Sequence, residues 1–345
     1  MSLGDISVAY VDILERTMDC MGHDSSEMLA QFSLNRSNLA SPDARVSIPR
    51  YMRMGHRCIE QTSAPWFGLE MGKQTLMTHL GLAGMTALAA ADLKSACECL
   101  TEFELLNSYN VRGSSSFTRE GDLSCLNFYS IKPYNEYNYF IVDLVLSGWF
   151  HGIWALTGRN DLVKRVCFEF ACPDYASKYE DYFNCEVCFS QSHNRLELQA
   201  DALGVAGLAS CPSTFNMLTR YARKELDIAQ HELKFEQKVS RAISPMLNGI
   251  TPSLDQVAEQ LNMAPWTVRR RLIDEGSSFQ QVLNSTRCDL AKSYVRDTDL
   301  TLGEIAYLLG FGSATAFQRA FKRWVDIAPG YYREQSRSAH STTAK

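Results

Sequence analysis

One hydrophobic spacing occurs twice in the last hundred residues, and it restricts that part of the chain to paired helical hairpins. Leu254, Val257, Ala258 and Leu261 stand at i, i+3, i+4 and i+7, and Leu302, Ile305, Ala306 and Leu309 repeat the spacing 48 residues later. Such a period puts four apolar side chains on one helix face. Each copy is followed by a break, Asn262-Met263-Ala264 or Gly310-Phe311-Gly312-Ser313. A second helix then follows, anchored by Val268 and Leu272 or by Phe317 and Phe321. Ala258 and Ala306 are small where two helices must approach closely, and Gly310 supplies backbone freedom at the second turn. A helix-turn-helix written twice predicts a reader of two successive stretches of duplex DNA.

The faces opposite those anchors carry the chemistry. In the first copy Trp266, Thr267, Arg269 and Arg270 are expected to face outward, and an arginine there can donate two hydrogen bonds to guanine O6 and N7. In the second copy the outward set is Ser313, Thr315, Ala316, Gln318 and Arg319. Lys322 and Arg323 lie one turn further on, where phosphate contacts orient the protein without reading sequence. Between the copies, residues 279–296 predict a bridge helix about 25 Å long. That length suits two readers near one DNA turn apart, about 34 Å. Arginines on exposed helix faces are commonly only solvated; two copies with matching turns and basic outer faces favour DNA.

Charge supports a division of labour. From Ser240 onward 13 Lys+Arg face 10 Asp+Glu, a net of +3, whereas the preceding residues carry 21 against 29, a net of −8, within an overall −5. That asymmetry predicts a DNA-facing module joined to a module with another task. Eleven cysteines without a spacing framework suit a reducing cytoplasm. The first twenty residues carry Asp5, Asp12, Glu15 and Asp19 and no apolar run, so no secretory signal is expected. Residues 139–156 are apolar enough to suggest a membrane span, but Asp143 and His151 interrupt them, and a buried core helix is expected instead.

The N-terminal part reads as α+β. Its first hundred residues are expected to be mostly helical, with a helix opening at Ile48-Pro49 and another capped by Asp92 and running towards Leu106. Residues 114–120 and 123–131 predict a strand pair, and further strands are expected near 166–170, 186–189 and 195–198. Residues 212–230 predict a helix whose Phe215, Leu218, Tyr221, Ala222 and Leu226 either pack on their own domain or form a dimer seam. The expected division is a regulatory domain at 1–210, a connecting helix at 211–235, an all-α DNA-binding domain at 236–335 and a disordered tail at 336–345.

Cys185 and Cys188, with Cys172 and His193 nearby, raise a zinc or redox reading, but a lone C-x-x-C lacks the second pair that zinc requires. If they share a strand, residues three apart point to opposite faces. Cys97 and Cys99 diverge by about 200° on a helix. No phosphate loop, paired-carboxylate motif or nucleophile elbow occurs, so no catalytic residues, metal or cofactor are expected. The aromatic stretch containing Tyr134, Tyr137, Tyr139, Trp149, Phe150, His151 and Trp154 reads as core or as pocket lining. Asp143, Trp149 and His151 are the candidate effector contacts.

Residues 252–333 resemble the DNA-binding region of AraC/XylS-type transcriptional regulators. Ile305, Ala306, Leu309, Gly310, Phe311, Phe317, Arg319, Phe321, Lys322, Pro329, Tyr332 and Arg333 carry the match. Two departures stand out: Asp326 replaces the usual glycine, and Ala328 replaces the usual Thr or Ser before Pro329. Residues 67–72, 80–84, 92–96 and 183–189 are similar to the N-terminal domain of the subgroup called arabinose-binding. The resemblance implies a cytoplasmic, sequence-specific regulator, more often an activator working with RNA polymerase. It also implies a small-molecule effector, amino acids and other organic acids among those of relatives. Promoter DNA is the expected partner, with a homodimer open; if two protomers bind, the two readers favour direct half-site repeats. Two alternatives stay open: an N-terminal domain that works through cysteine chemistry, and an effector-independent architectural protein or repressor.

Overall fold

The computed structural model describes residues 4–41, 44–110, 113–121, 123–130, 134, 138–232, 234–247, 249–298 and 300–342. Tyr137, together with Ile131 at the end of the expected strand, lies outside them. The chain divides into two compact units, residues 4–231 and residues from 232 onward.

The first unit is α+β. A three-stranded antiparallel sheet has the order β2-β1-β3, where β1 is Gly4–Ser7, β2 Arg45–Ser47 and β3 Ser108–Asn110. These strands are too short to show alternation, and the reading of a mostly helical first hundred residues did not include β1 and β2. Helices α1 (Ala9–Cys20), α2 (Ser25–Gln31), α3 (Arg36–Leu39), α4 (Ile48–Thr62), α5 (Phe67–Gln74), α6 (Gly81–Leu88), α7 (Leu93–Glu102) and α8 (Glu104–Asn107) fill the intervals. Asp92 caps α7 as expected, accepting from Ser95 N at 2.8 Å, but the helix stops at Glu102 and Phe103 separates it from α8.

A five-stranded sheet follows in the order β4-β5-β8-β6-β7, from Gly113–Glu120, Leu123–Ser130, Asn194–Leu198, Val163–Cys167 and Glu186–Cys188; only β6 and β7 pair in parallel. The expected strand at 166–170 begins earlier, at Val163, and ends at Cys167. The apolar segment forms α9 (Tyr139–Thr157), with Phe140, Val142 and Leu146 at 0% exposure. It is long and apolar enough to cross a membrane, yet most of its apolar window lies inside the fold. It packs against two cores, one around Ile6, Val46, Ile48 and Tyr51, the other around Phe103, Leu126, Phe168 and Leu196. Short α10 (Ser177–Phe183) adds Tyr179 and Phe183 to the second core. Helix α11 (Pro212–Glu232) belongs to this unit: Ala222 and Leu226 are buried in the same core and Phe215 packs on it, whereas Met217, Tyr221 and Ile228 stay exposed.

The second unit is helical. It comprises α12 (Phe235–Ile243), α13 (Leu254–Gln260), α14 (Pro265–Asp274), α15 (Phe279–Asp297), α16 (Leu302–Leu308), α17 (Ala314–Val325) and α18 (Pro329–Thr342). Helix α18 continues through residues where a disordered tail is expected.

Candidate functional site

The two hairpins repeat atom for atom where their turns are made. Ser253 caps α13 and Thr301 caps α16, each in a reciprocal capping box with Gln256 or Glu304 three residues on. Met263 N donates to Ala258 O at 2.9 Å, and Phe311 N donates to Ala306 O at 2.8 Å. Asn262 and Gly310, 48 apart, both take positive φ, +51° and +68°. At Gly310 a side chain is excluded as well, because a Cβ would lie 2.9 Å from Ile250 O. The second turn holds one residue more, so α17 aligns with α14 at a spacing of 49, which pairs Val268 with Phe317 and Arg270 with Arg319.

The anchors face inward: Val268, Leu272, Phe317 and Phe321 are each at 0% exposure. Trp266, Arg269, Arg270, Thr315, Gln318, Arg319, Lys322 and Arg323 are exposed, and Thr267 and Ala316 are half-buried. Arg270 lies over the Trp266 ring, 5.4 Å from its centroid, which orders both groups along the outer face. Arg271 instead covers Phe235 and so faces α12. Ser313 is exposed, but its hydroxyl accepts from Ala316 N at 3.1 Å and caps α17. Asp326 makes the bend after Trp324 in the left-handed conformation, φ +63°, with its N–H on Lys322 O.

Sequence reasoning missed Arg287. Buried in the bridge helix α15, its Nε donates to Leu309 O at 2.7 Å, and Nη2 donates to Thr251 Oγ1 at 2.6 Å and Gly310 O at 2.9 Å. Its guanidinium also lies 4.8 Å from the Phe311 ring centroid. The signal was available: Arg287 stands four after Leu283 and three before Leu290, on the buried stripe.

In the first unit a cavity of about 110 Å³ lies where both sheets approach α9. The candidates Asp143, Trp149 and His151 are not brought together. Trp149 lines the cavity. Asp143 does not; it is fully buried and accepts from Tyr179 Oη at 3.0 and 3.1 Å, and burial raises its pKa to about 8 against that hydrogen bond. His151 lines an open surface groove with Glu70, Lys73 and Trp154, and burial lowers its pKa. Among the described residues, no group of three or more His, Cys, Asp or Glu gathers to hold a metal. Cys185 stands outside β7, and burial pushes its thiol up to about 11; Cys188 is also raised, chiefly by burial. Neither is disposed to form a thiolate.

Two helix-turn-helix units on a common bridge, in one chain with a separate α+β unit containing a cavity, define a ligand-binding, DNA-binding transcription regulator. The model for the arabinose-binding domain of AraC transcription regulators, N-terminal, matches residues 22–205, and that for a helix-turn-helix domain matches residues 257–335. The chain belongs to the AraC family of transcriptional regulators. The ornithine utilization regulator of Pseudomonas aeruginosa is 25% identical over 332 residues, covering 95% of this chain and 96% of the relative. The urease operon transcriptional activator of Escherichia coli is 28% identical over 156 residues, 44% of this chain and 53% of the relative. The crystal structure of the transcriptional regulator CdpR from P. aeruginosa aligns with a TM-score of 0.49 at 18% identity, covering 94% and 98% of the two chains. These relatives are regulators and not enzymes.

Proposed function

We propose that this chain is an effector-controlled activator that reads two successive major grooves of promoter DNA. The observation that carries the proposal is the repetition of cap, turn and anchor geometry in two hairpins whose outer faces are exposed and basic. In this reading Arg269, Arg270, Gln318 and Arg319 read base edges. Trp266, Thr267, Thr315 and Ala316 give apolar or hydroxyl contacts, and Ser313, Lys322 and Arg323 meet phosphate.

The α+β unit, residues 4–231 with most of α11, senses a small molecule and passes its state to the helical unit from residue 232 onward. The effector must favour one state over the other, typically by about 1–3 kcal/mol. Activation, through contact with RNA polymerase in the cytoplasm, is supported by the name of the E. coli relative, a transcriptional activator. Met217, Tyr221 and Ile228 form one exposed line on α11, suited to a second protomer.

The test is a nuclease footprint on the adjacent promoter, with and without fractionated cell metabolites, coupled to transcription by purified RNA polymerase. A metabolite-dependent change in protection together with increased transcript supports the proposal. Protection and transcript indifferent to every fraction would overturn effector control, and reduced transcript would overturn activation.

A further inference from the structure

Resting on the reading of α14 and α17 as DNA readers, we infer that Glu275 is a positioning residue for the first of them, setting the roll of α14 from its far end. Glu275 follows α14 directly, and its carboxylate accepts from Phe235 N at 2.6 Å and from Glu236 N at 3.1 Å. Those two N–H groups open α12, and the first N–H groups of a helix have no acceptor within it. A carboxylate there also meets the positive end of the helix dipole. The contact therefore joins the end of the first reader to the start of the helix that opens the second unit.

A second attachment lies one turn back. Arg271 stands four residues before Glu275, on the same flank of α14, and its guanidinium lies 5.4 Å from the Phe235 ring centroid. Phe235 is buried, and Ser240 Oγ lies 2.7 Å from Thr286 Oγ1, which seats α12 on the bridge helix α15. Burial of Val268 and Leu272 holds the inner face of α14, but apolar contact has no direction. The hydrogen bonds of Glu275 do, and with Arg271 they oppose a roll about that apolar seat. Arg270 adjoins this flank, so a roll carries its guanidinium away from the two-bond geometry that guanine O6 and N7 require.

The clasp has no counterpart in the second reader. At the spacing of 49 that aligns the two, Arg271 corresponds to Ala320 and Glu275 to Trp324. Ala320 is buried, and the Trp324 ring lies 6.0 Å from Phe311 in its own hairpin. The second hairpin is held by Arg287 and by Arg333, which donates to Val295 O at 3.0 Å and Leu300 O at 2.6 Å. Loss of Glu275 thus reaches one reader and spares the other.

Charge makes the test sharp. Glu275 is an exposed acid, so by electrostatics alone its removal should strengthen binding to every duplex. Positioning predicts a loss, and only in the block of bases that Arg270→Ala also alters. Selection of bound sequences by the full chain, with Glu275→Ala, Glu275→Gln, Arg270→Ala and Arg319→Ala beside the parent, separates the two. Glu275→Ala should lower preference in the Arg270 block by at least about fivefold, the lower end of what one bidentate pair contributes. Preference in the Arg319 block should stay within about twofold of the parent, a change too small to reflect a lost base contact. Glu275→Gln keeps the side-chain length and one acceptor, so it retains the fold if the alanine variant does not, and its loss should be smaller but confined to the same block. Circular dichroism identifies the folded variants. Full preference in both blocks, or an equal loss in both, from the folded variants overturns the inference. If Arg270→Ala itself changes nothing, the reading of α14 as a reader falls and this inference with it; if Arg270→Ala acts and Glu275 variants do not, only the positioning role falls.

Discussion

Arg287 joins the two hairpins through the turn of the second one: its guanidinium donates to Leu309 O and Gly310 O while also holding Thr251, just ahead of the first hairpin. A buried guanidinium here satisfies two carbonyls that a tight turn leaves without helical partners. The bridge helix is therefore a clamp as well as a spacer.

Arg287→Met keeps much of the side-chain volume and removes every donor. It should destabilise the second unit by about 1–3 kcal/mol, the cost of a buried carbonyl losing its donor at Leu309 O, while Gly310 O still accepts from Thr251 Oγ1 at 3.0 Å. Urea denaturation followed by tryptophan fluorescence checks this, and a loss below about 0.5 kcal/mol would contradict the clamp.

Arg319→Ala and Lys322→Ala should fail in different ways. The first should cost about 1–3 kcal/mol at the specific site and little on random DNA. The second should weaken binding on all sequences and lower the salt slope by about one unit. Binding titrations from low to high salt, on both kinds of duplex, distinguish the two.

Asp326 occupies a conformation that glycine adopts more easily, φ +63°. Asp326→Gly should stabilise the second unit by about 0.5–1 kcal/mol without altering DNA affinity. Destabilisation of that size would show that the Asp326 side chain contributes something beyond the bend.

Asp143 gives the first unit a pH dependence. Its pKa is about 8 when folded, above the ordinary 3.8, so between those values the folded acid keeps a proton that the unfolded one has lost. The contribution of Asp143 to stability is full below about pH 4 and declines as pH rises towards 8. At about 1.4 kcal/mol per unit between 3.8 and 8, Asp143→Asn should therefore exceed the parent by on the order of 5 kcal/mol at pH 8 and match it at pH 4. Thermal melts at the two values provide the comparison.

Local features of this fold are written locally. The hairpin stripes, the Asp92 cap, the β4–β5 pair and the apolar α9 all follow from spacings within about twenty residues, and a sequence displays such spacings directly. The sheet of β1, β2 and β3 does not, because strands of three or four residues carry no readable alternation and pair across long stretches of chain. The cavity is harder still: Ile6, Leu100, Phe128 and Trp149 meet only after both sheets form. Asp143 illustrates the same limit. As the acid within an apolar helix it suggests a ligand contact, and its partner is Tyr179, 36 residues away.

The account stands most directly on two readers addressing different stretches of one duplex. Selection of bound sequences from a random pool, with the parent, Arg270→Ala and Arg319→Ala, measures that. Each variant should lose preference in its own block of bases, the blocks centred about one helical turn, roughly 10 base pairs, apart. Loss in the same block from both variants, or in neither, would contradict the account.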